Sequence, residues 1–293
     1  MEGLRDGLQG LLQGLGRGSV PCWPGSIVSR TMSRLHTVSP PVAPAIGTEA
    51  ASPGGVAGWL RQARRWAGSS CQVCRRWQTD ALCVDCLGRF APARPRCRGC
   101  AIVLPHPEVE FCGRCLREPS ALTAVVAALD YGFPWDRLIS RFKFHAAPEL
   151  AGDLADLLTG AVAPALRSGW LERPEWVLPV PLSPQRLRER GYNQAWELAR
   201  RVARAQGLSA RADLLVKLRE GAHQAELSRE ERLHNLAAAF ATEPQARPLL
   251  AGARVALVDD VMTTGATLQE LARTLLRAGA SQVQGWVLAR TPE

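Results

Sequence analysis

Val255-Ala256-Leu257-Val258-Asp259-Asp260-Val261-Met262-Thr263-Thr264-Gly265-Ala266-Thr267 is the stretch that decides the fold. Its four leading apolar residues, 255–258, have the pattern of a buried parallel strand. Two carboxylates stand at the carboxyl end of that strand, a Thr/Gly loop follows, and Leu268 to Ala278 has the apolar spacing of a helix. In an open α/β sheet, ligands bind just outside the carboxyl ends of the strands. A loop that runs into a helix start offers backbone N–H groups and hydroxyls to a phosphate, helped by the positive end of the helix dipole. Adjacent carboxylates facing that phosphate can accept hydrogen bonds from two neighbouring sugar hydroxyls, so a sugar phosphate fits the site. An ordinary strand end with an acidic turn would carry the same Asp-Asp pair; the Thr-Thr-Gly-Ala-Thr continuation favours the phosphate.

The same thirteen residues resemble the phosphoribosyl pyrophosphate (PRPP) signature of type I phosphoribosyltransferases. That resemblance implies that Asp259 and Asp260 hold the ribose 2′- and 3′-hydroxyls. It also implies that Thr263, Thr264, Gly265, Ala266 and Thr267 wrap the 5′-phosphate.

Composition sets the frame. At 293 residues, 46% hydrophobic and 22% charged, the chain matches an ordinary soluble protein of one or two domains. No apolar run reaches the roughly 18 residues of a membrane span. Met1 to Gly18 lacks a basic start followed by a continuous apolar core, so it does not read as a secretory signal, and a cytoplasmic location is the default. Of the formal charge of +9, residues 1–120 carry +7, which invites a nucleic-acid partner such as single-stranded DNA. Metal-bound thiolates would cancel much of that excess. Residues 1–66 are rich in Gly, Pro, Ser and Ala with no stable amphipathic pattern, and are expected to be a disordered extension.

Eight of the nine cysteines form four Cys-x-x-Cys pairs between residues 67 and 118: Cys71/Cys74, Cys83/Cys86, Cys97/Cys100 and Cys112/Cys115. A two-residue gap lets one turn present both sulfurs to one zinc ion, and four thiolates close its tetrahedron. Two structural zinc ions in a double ribbon are expected. Sequential pairing of the Cys pairs is preferred, and interleaved pairing also satisfies the spacing. From residue 121 to 293 short apolar strands alternate with amphipathic helices, so the fold class is α/β, a mostly parallel sheet with helices on both faces. Strands are expected at Leu122–Tyr131, Glu175–Val180, Leu214–Leu218 and Gln282–Ala289. Helices are expected at Trp135–His145 and Pro148–Arg167, and from Ser183 to Gln206 with a break near Gly191. A further helix should open on the Ser228/Glu231 capping box and run towards Phe240.

A second constellation follows Val177–Val180: Pro181, Leu182, Ser183, then Arg186, Arg190, Gly191, Tyr192, Asn193 and Gln194. Arg186 and Arg190 are four apart, on one face of any helix, and guanidinium groups suit the several oxyanions of a pyrophosphate. Together with Phe142-Lys143-Phe144, Gln224, Leu227-Ser228, Arg232, Asn235 and Phe240, these elements resemble the ComF family over about residues 70 to 290. Its members are competence-associated, GntX-like proteins with a double zinc ribbon ahead of a phosphoribosyltransferase-like domain. Tyr192 stands where the family usually has Phe, and Ala146 where a glycine is common.

The resemblance implies PRPP with Mg²⁺ as ligand, possible transfer of phosphoribose to a nitrogen acceptor, and a link to DNA uptake and its proteins. Arg186 and Arg190 would meet the departing pyrophosphate with backbone groups near Pro181, Leu182 and Ser183, and Lys143, Asn193 and Gln194 are candidate contacts to pyrophosphate or acceptor. The alternative is a non-catalytic protein that senses PRPP or handles single-stranded DNA, with Trp77 and Phe90 as stacking rings.

Overall fold

The computed structural model describes residues 68–145, 147–218 and 239–292. Two cysteine turns come first. Strands β1 (Ser69–Ser70) and β2 (Trp77–Gln78) pair antiparallel around Cys71 and Cys74, and Cys83 caps helix α1 (Val84–Phe90) with its sulfur on the Cys86 amide. The second ribbon repeats the plan: Arg96 and Val103 bridge around Cys97 and Cys100, and Cys112 caps α2 (Gly113–Arg117).

The rest alternates as its apolar spacing requires. In chain order it runs β3 (Ala124–Asp130), α3 (Trp135–Phe144), α4 (Ala151–Arg167), β4 (Trp176–Pro179), α5 (Pro184–Arg190) and α6 (Gln194–Ala205). It continues with β5 (Ser209–Ala210), β6 (Leu215–Lys217), β7 (Phe240–Thr242), α7 (Arg247–Leu250), β8 (Arg254–Met262), α8 (Ala266–Arg277) and β9 (Gln282–Arg290). Five strands form one sheet in the order β3-β9-β8-β4-β5, every neighbouring pair parallel, and β6 and β7 make a separate antiparallel pair.

Parallel strands buried on both faces need two cores. On one face Leu138 and Phe142 of α3, Leu154 and Leu158 of α4 and Leu198 and Val202 of α6 pack on Ala256, Val258, Trp286 and Leu288. On the other, Leu268, Leu271 and Leu275 of α8 pack on Val255, Leu257, Val283 and Val287, joined by Cys97, Cys100 and Leu104 of the second ribbon. Strand β8 thus feeds both cores by simple alternation. The chain leaves β4 towards β5 on one side and leaves β8 towards β9 on the other. The crevice between β4 and β8 is therefore the topological switch point, where such sheets bind ligands.

Three expectations change in detail. The apolar run 255–258 is only the first part of β8: pairing with β9 carries the strand through both acids to Met262, opposite Arg290. Pro148–Leu150 is a 3₁₀ turn ahead of α4, since proline fits a first turn but donates no amide to it. The helix expected from Ser228 and the expected disorder of residues 1–66 lie outside the described residues, and Phe240 opens strand β7.

Leu257 is fully buried at the middle of the sheet, so Leu257→Ala should lower stability by about 2–5 kcal/mol. Leu276→Ala, at a 37% exposed position on α8, should cost under about 0.5 kcal/mol, and urea unfolding of the two variants measures the contrast.

Candidate functional site

The loop after β8 is built around Gly265. Its φ of +83° lies in the left-handed region, and a Cβ there would sit 2.4 Å from Met262 Cε. Thr263 and Thr264 are exposed, Thr267 is half-buried, and α8 starts at Ala266 behind Gly265, an N-cap residue with no side chain to cap the helix. Thr264 Oγ1 accepts from the Ala266 amide, at 3.4 Å. An uncapped helix start leaves its first N–H groups pointing at an open position, the usual arrangement of an anion site.

The two acids sit beside that loop on opposite faces of β8. Asp260 is 3% exposed; its Oδ1 lies 3.2 Å from Lys143 Nζ, and its buried Oδ2 meets no donor among the described residues. Asp259 turns Oδ1 back onto the Asp260 amide at 2.9 Å. Burial and the adjacent Asp260 charge push Asp259 up to about 8, against the opposing pull of that amide and of Lys143.

Lys143 arrives on the last turn of α3, and all three residues of that tip make distinct contacts. The Tyr192 hydroxyl donates to the Phe142 carbonyl, and the two rings lie 5.7 Å apart. Arg190 holds its guanidinium 4.8 Å from the Phe144 ring centroid. The tip therefore ties the acid pair to the Arg-Gly-Tyr segment. Sequence reading found both motifs and missed their contact; the Tyr192 hydroxyl, a departure from the family's Phe, was the available signal.

Strand β4 ends at Pro179, the Val180 amide donates to Val258 O, and Pro181 and Leu182 line the turn half-buried. Ser183 caps α5, its Oγ accepting from the Arg186 amide at 3.2 Å, and Gly191 closes that helix at φ +76°. Arg186 and Arg190 both come out half-buried on α5. Asn193 caps α6: Oδ1 accepts from the Ala195 and Trp196 amides and Nδ2 donates to Val180 O at 3.1 Å. That side chain is committed to backbone, bracing the turn between β4 and α6. Gln194 is buried, with Oε1 unpartnered among the described residues.

The cysteines group sequentially, Cys71, Cys74, Cys83 and Cys86 in one set and Cys97, Cys100, Cys112 and Cys115 in the other, with all sulfurs of a set within 4.8 Å of one another. Interleaved pairing is thereby excluded. Cys74 and Cys83 sulfurs are 3.6 Å apart and Cys100 and Cys112 sulfurs 3.7 Å, close to the edge of about 3.8 Å that a thiolate tetrahedron around zinc requires. Although burial raises them, amide donors bring Cys71 down to about 6 and Cys112 to about 7, towards the thiolate that a metal binds. Both sets fit zinc, and four ligands each leave no open coordination position.

Residues 190–293 match the phosphoribosyl transferase domain family. The chain is 35% identical over 227 residues to the DNA utilization protein YhgH of Salmonella typhimurium, spanning 75% of this chain and 96% of that one. It is 35% identical over 213 residues to competence protein F of Haemophilus influenzae, spanning 72% and 91%. A glutamine PRPP amidotransferase from B. subtilis, solved with ADP and GMP, aligns over 50% of this chain and 30% of its own at 18% identity and a TM-score of 0.34.

The fold holds the Asp259 proton above the pH at which an unfolded chain releases it. Its contribution to stability is therefore full below about pH 4 and is lost as pH rises towards 8. Thermal melts at pH 5 and pH 8 should differ less for Asp259→Asn than for the parent chain, and equal slopes would contradict the assignment. Native mass spectrometry should count two zinc ions, and a strong chelator should lower the melting temperature as they leave.

Proposed function

The chain belongs to the ComF family, and from that premise we propose that it binds PRPP with Mg²⁺ at the crevice between β4 and β8 and transfers phosphoribose to a nitrogen acceptor. One observation carries the reading: among the described residues, Asp260 keeps a buried, unpartnered oxygen six residues before a helix start whose N-cap is a glycine. A ribose hydroxyl is the donor that oxygen lacks, and a 5′-phosphate is the anion those amides lack.

In this reading Thr263–Thr267 and the α8 amides hold the 5′-phosphate, while Asp259 and Asp260 accept from the two ribose hydroxyls. A Mg²⁺ bound with the pyrophosphate of the substrate would help neutralise its charge. Breaking the bond to pyrophosphate leaves positive character at the anomeric carbon, as in glycoside chemistry. Arg186 and Arg190, with the amides of Leu182 and Ser183, stabilise the charge building on the leaving group. The stack of Arg190 on Phe144 keeps that guanidinium oriented. Lys143 starts on Asp260, within reach of an incoming anion, and Gln194 offers its carbonyl, unpartnered among the described residues, to an acceptor N–H. The acid pair fixes the sugar so that the acceptor meets the carbon in line.

The relatives' names, a DNA utilization protein and a competence protein, support a role connected with competence and the use of DNA. Among the described residues no helix is long and apolar enough to cross a membrane. A second reading, single-stranded DNA handling, is favoured by one surface feature. Arg89 lies over Phe90, Phe90 meets Phe133 edge-on at 5.7 Å, and Arg137 lies over Phe133, which is 60% exposed. Alternating guanidinium and ring suits stacked bases along a backbone.

Asp260→Asn should weaken PRPP binding about 10- to 100-fold by calorimetry while the circular dichroism spectrum stays the same. Unchanged affinity refutes the ribose role. Pyrophosphate release from PRPP and binding of labelled single-stranded DNA separate the readings: steep loss of DNA binding with salt and no turnover favours the second.

A further inference from the structure

Arg290, the last residue of β9, is 2% exposed and ranks among the largest fully buried side chains. A buried guanidinium must place its N–H groups on acceptors. Here Nε donates to the Cys100 carbonyl at 2.9 Å, and Nη1 donates to Thr291 O at 2.6 Å and, at the long limit, to Met262 O at 3.5 Å. The Thr291 amide also donates to Met262 O, at 3.0 Å. One end of this contact is thus a member of the second cysteine set. The other is the residue whose side chain lies directly against Gly265, at the root of the phosphate loop.

We propose that Arg290 is a positioning residue joining the second cysteine set to the phosphate loop, so that metal on the cysteines and phosphate on the loop stabilise each other. The proposal rests on the phosphate reading of that loop. Neither end can yield freely. Ala101, beside Cys100, is fully buried at φ +58°, a strained conformation for a residue with a Cβ, and its carbonyl accepts from Arg96. A ribbon without metal has no tetrahedron to hold that turn, and a shift of the Cys100 carbonyl would leave a buried donor unsatisfied. The guanidinium would then move with it, and Met262 and Gly265 with the guanidinium.

A second strut runs parallel to the first. The Ala121 amide donates to Gln269 Oε1 at 2.9 Å and Gln269 Nε2 to Ser120 Oγ at 2.7 Å, tying the chain after α2 to the first turn of α8. The second ribbon also shares one apolar core with Met262 and Leu268. The first cysteine set leans elsewhere. It packs with Val73 and Phe90, and its ribbon meets α3, where Arg141 donates to Gln72 and Trp135 to Phe90 O. Coupling to the loop should therefore belong to one metal site and not the other.

Linkage makes the idea testable without any turnover, because coupled sites protect each other by the same factor. The probe is ribose 5-phosphate, its binding to the zinc-loaded full chain first measured by calorimetry. Pulsed alkylation under a zinc chelator, read peptide by peptide in the mass spectrometer, then reports each cysteine set separately. Saturating ribose 5-phosphate should slow alkylation of Cys97, Cys100, Cys112 and Cys115 about fivefold or more and leave Cys71, Cys74, Cys83 and Cys86 within twofold. Arg290→Lys keeps the charge, loses the fork of donors, and should reduce the protection below twofold while ribose 5-phosphate still binds at saturation; Arg290→Met should do the same if it folds. Equal protection of both sets, protection that survives in Arg290→Lys, or binding without protection overturns the proposal alone. Failure of ribose 5-phosphate to bind the parent chain overturns it together with the phosphate reading.

Discussion

Strand β4 leaves the sheet at Pro179, opposite Val258, whereas β9 stays paired with β8 as far as Arg290, opposite Met262. Residues 259–262 are therefore held extended by one neighbour and lack a strand on the other side. Two carboxylates occupy that half-paired end, Asp260 buried and Asp259 half-buried. Neither is comfortable there: Asp259 is driven towards its neutral form, and Asp260 keeps Lys143 at 3.2 Å. Burying a carboxylate oxygen without a donor is costly, and among the described residues Asp260 Oδ2 has none.

The parts around that strand end explain why distant motifs travel together. The α3 tip touches the acids through Lys143, the Arg-Gly-Tyr turn through the Phe142 carbonyl, and Arg190 through Phe144. Asn193 locks the same turn to the end of β4. Lys143 and Arg190 are thus set by one small framework.

Much of this was legible in the chain because its signals are local. The apolar run 255–258, the Thr/Gly loop and the spacing of α8 read correctly, as did the Cys-x-x-Cys pairs. What could not be read is pairing between distant segments. Apolar periodicity stops at Asp259, but a strand continues wherever a neighbour supplies hydrogen bonds, and β9 supplies them to Met262. The capping role of Asn193 was not legible, because it depends on where the Ala195 amide and the Val180 carbonyl lie in the fold. Lys143 was named without its partner, and Arg290 went unnoticed because a lone arginine ending a strand carries no pattern.

The central claim is that the strand end and the uncapped helix together hold a phosphorylated pentose. A crystal structure of the protein soaked with PRPP and magnesium tests it most directly. The account predicts the 5′-phosphate on the amides of Ala266 and Thr267, both ribose hydroxyls on Asp259 and Asp260, and Lys143 drawn off Asp260. Density for PRPP anywhere else, or a Lys143–Asp260 pair left intact beneath a bound ribose, would contradict it.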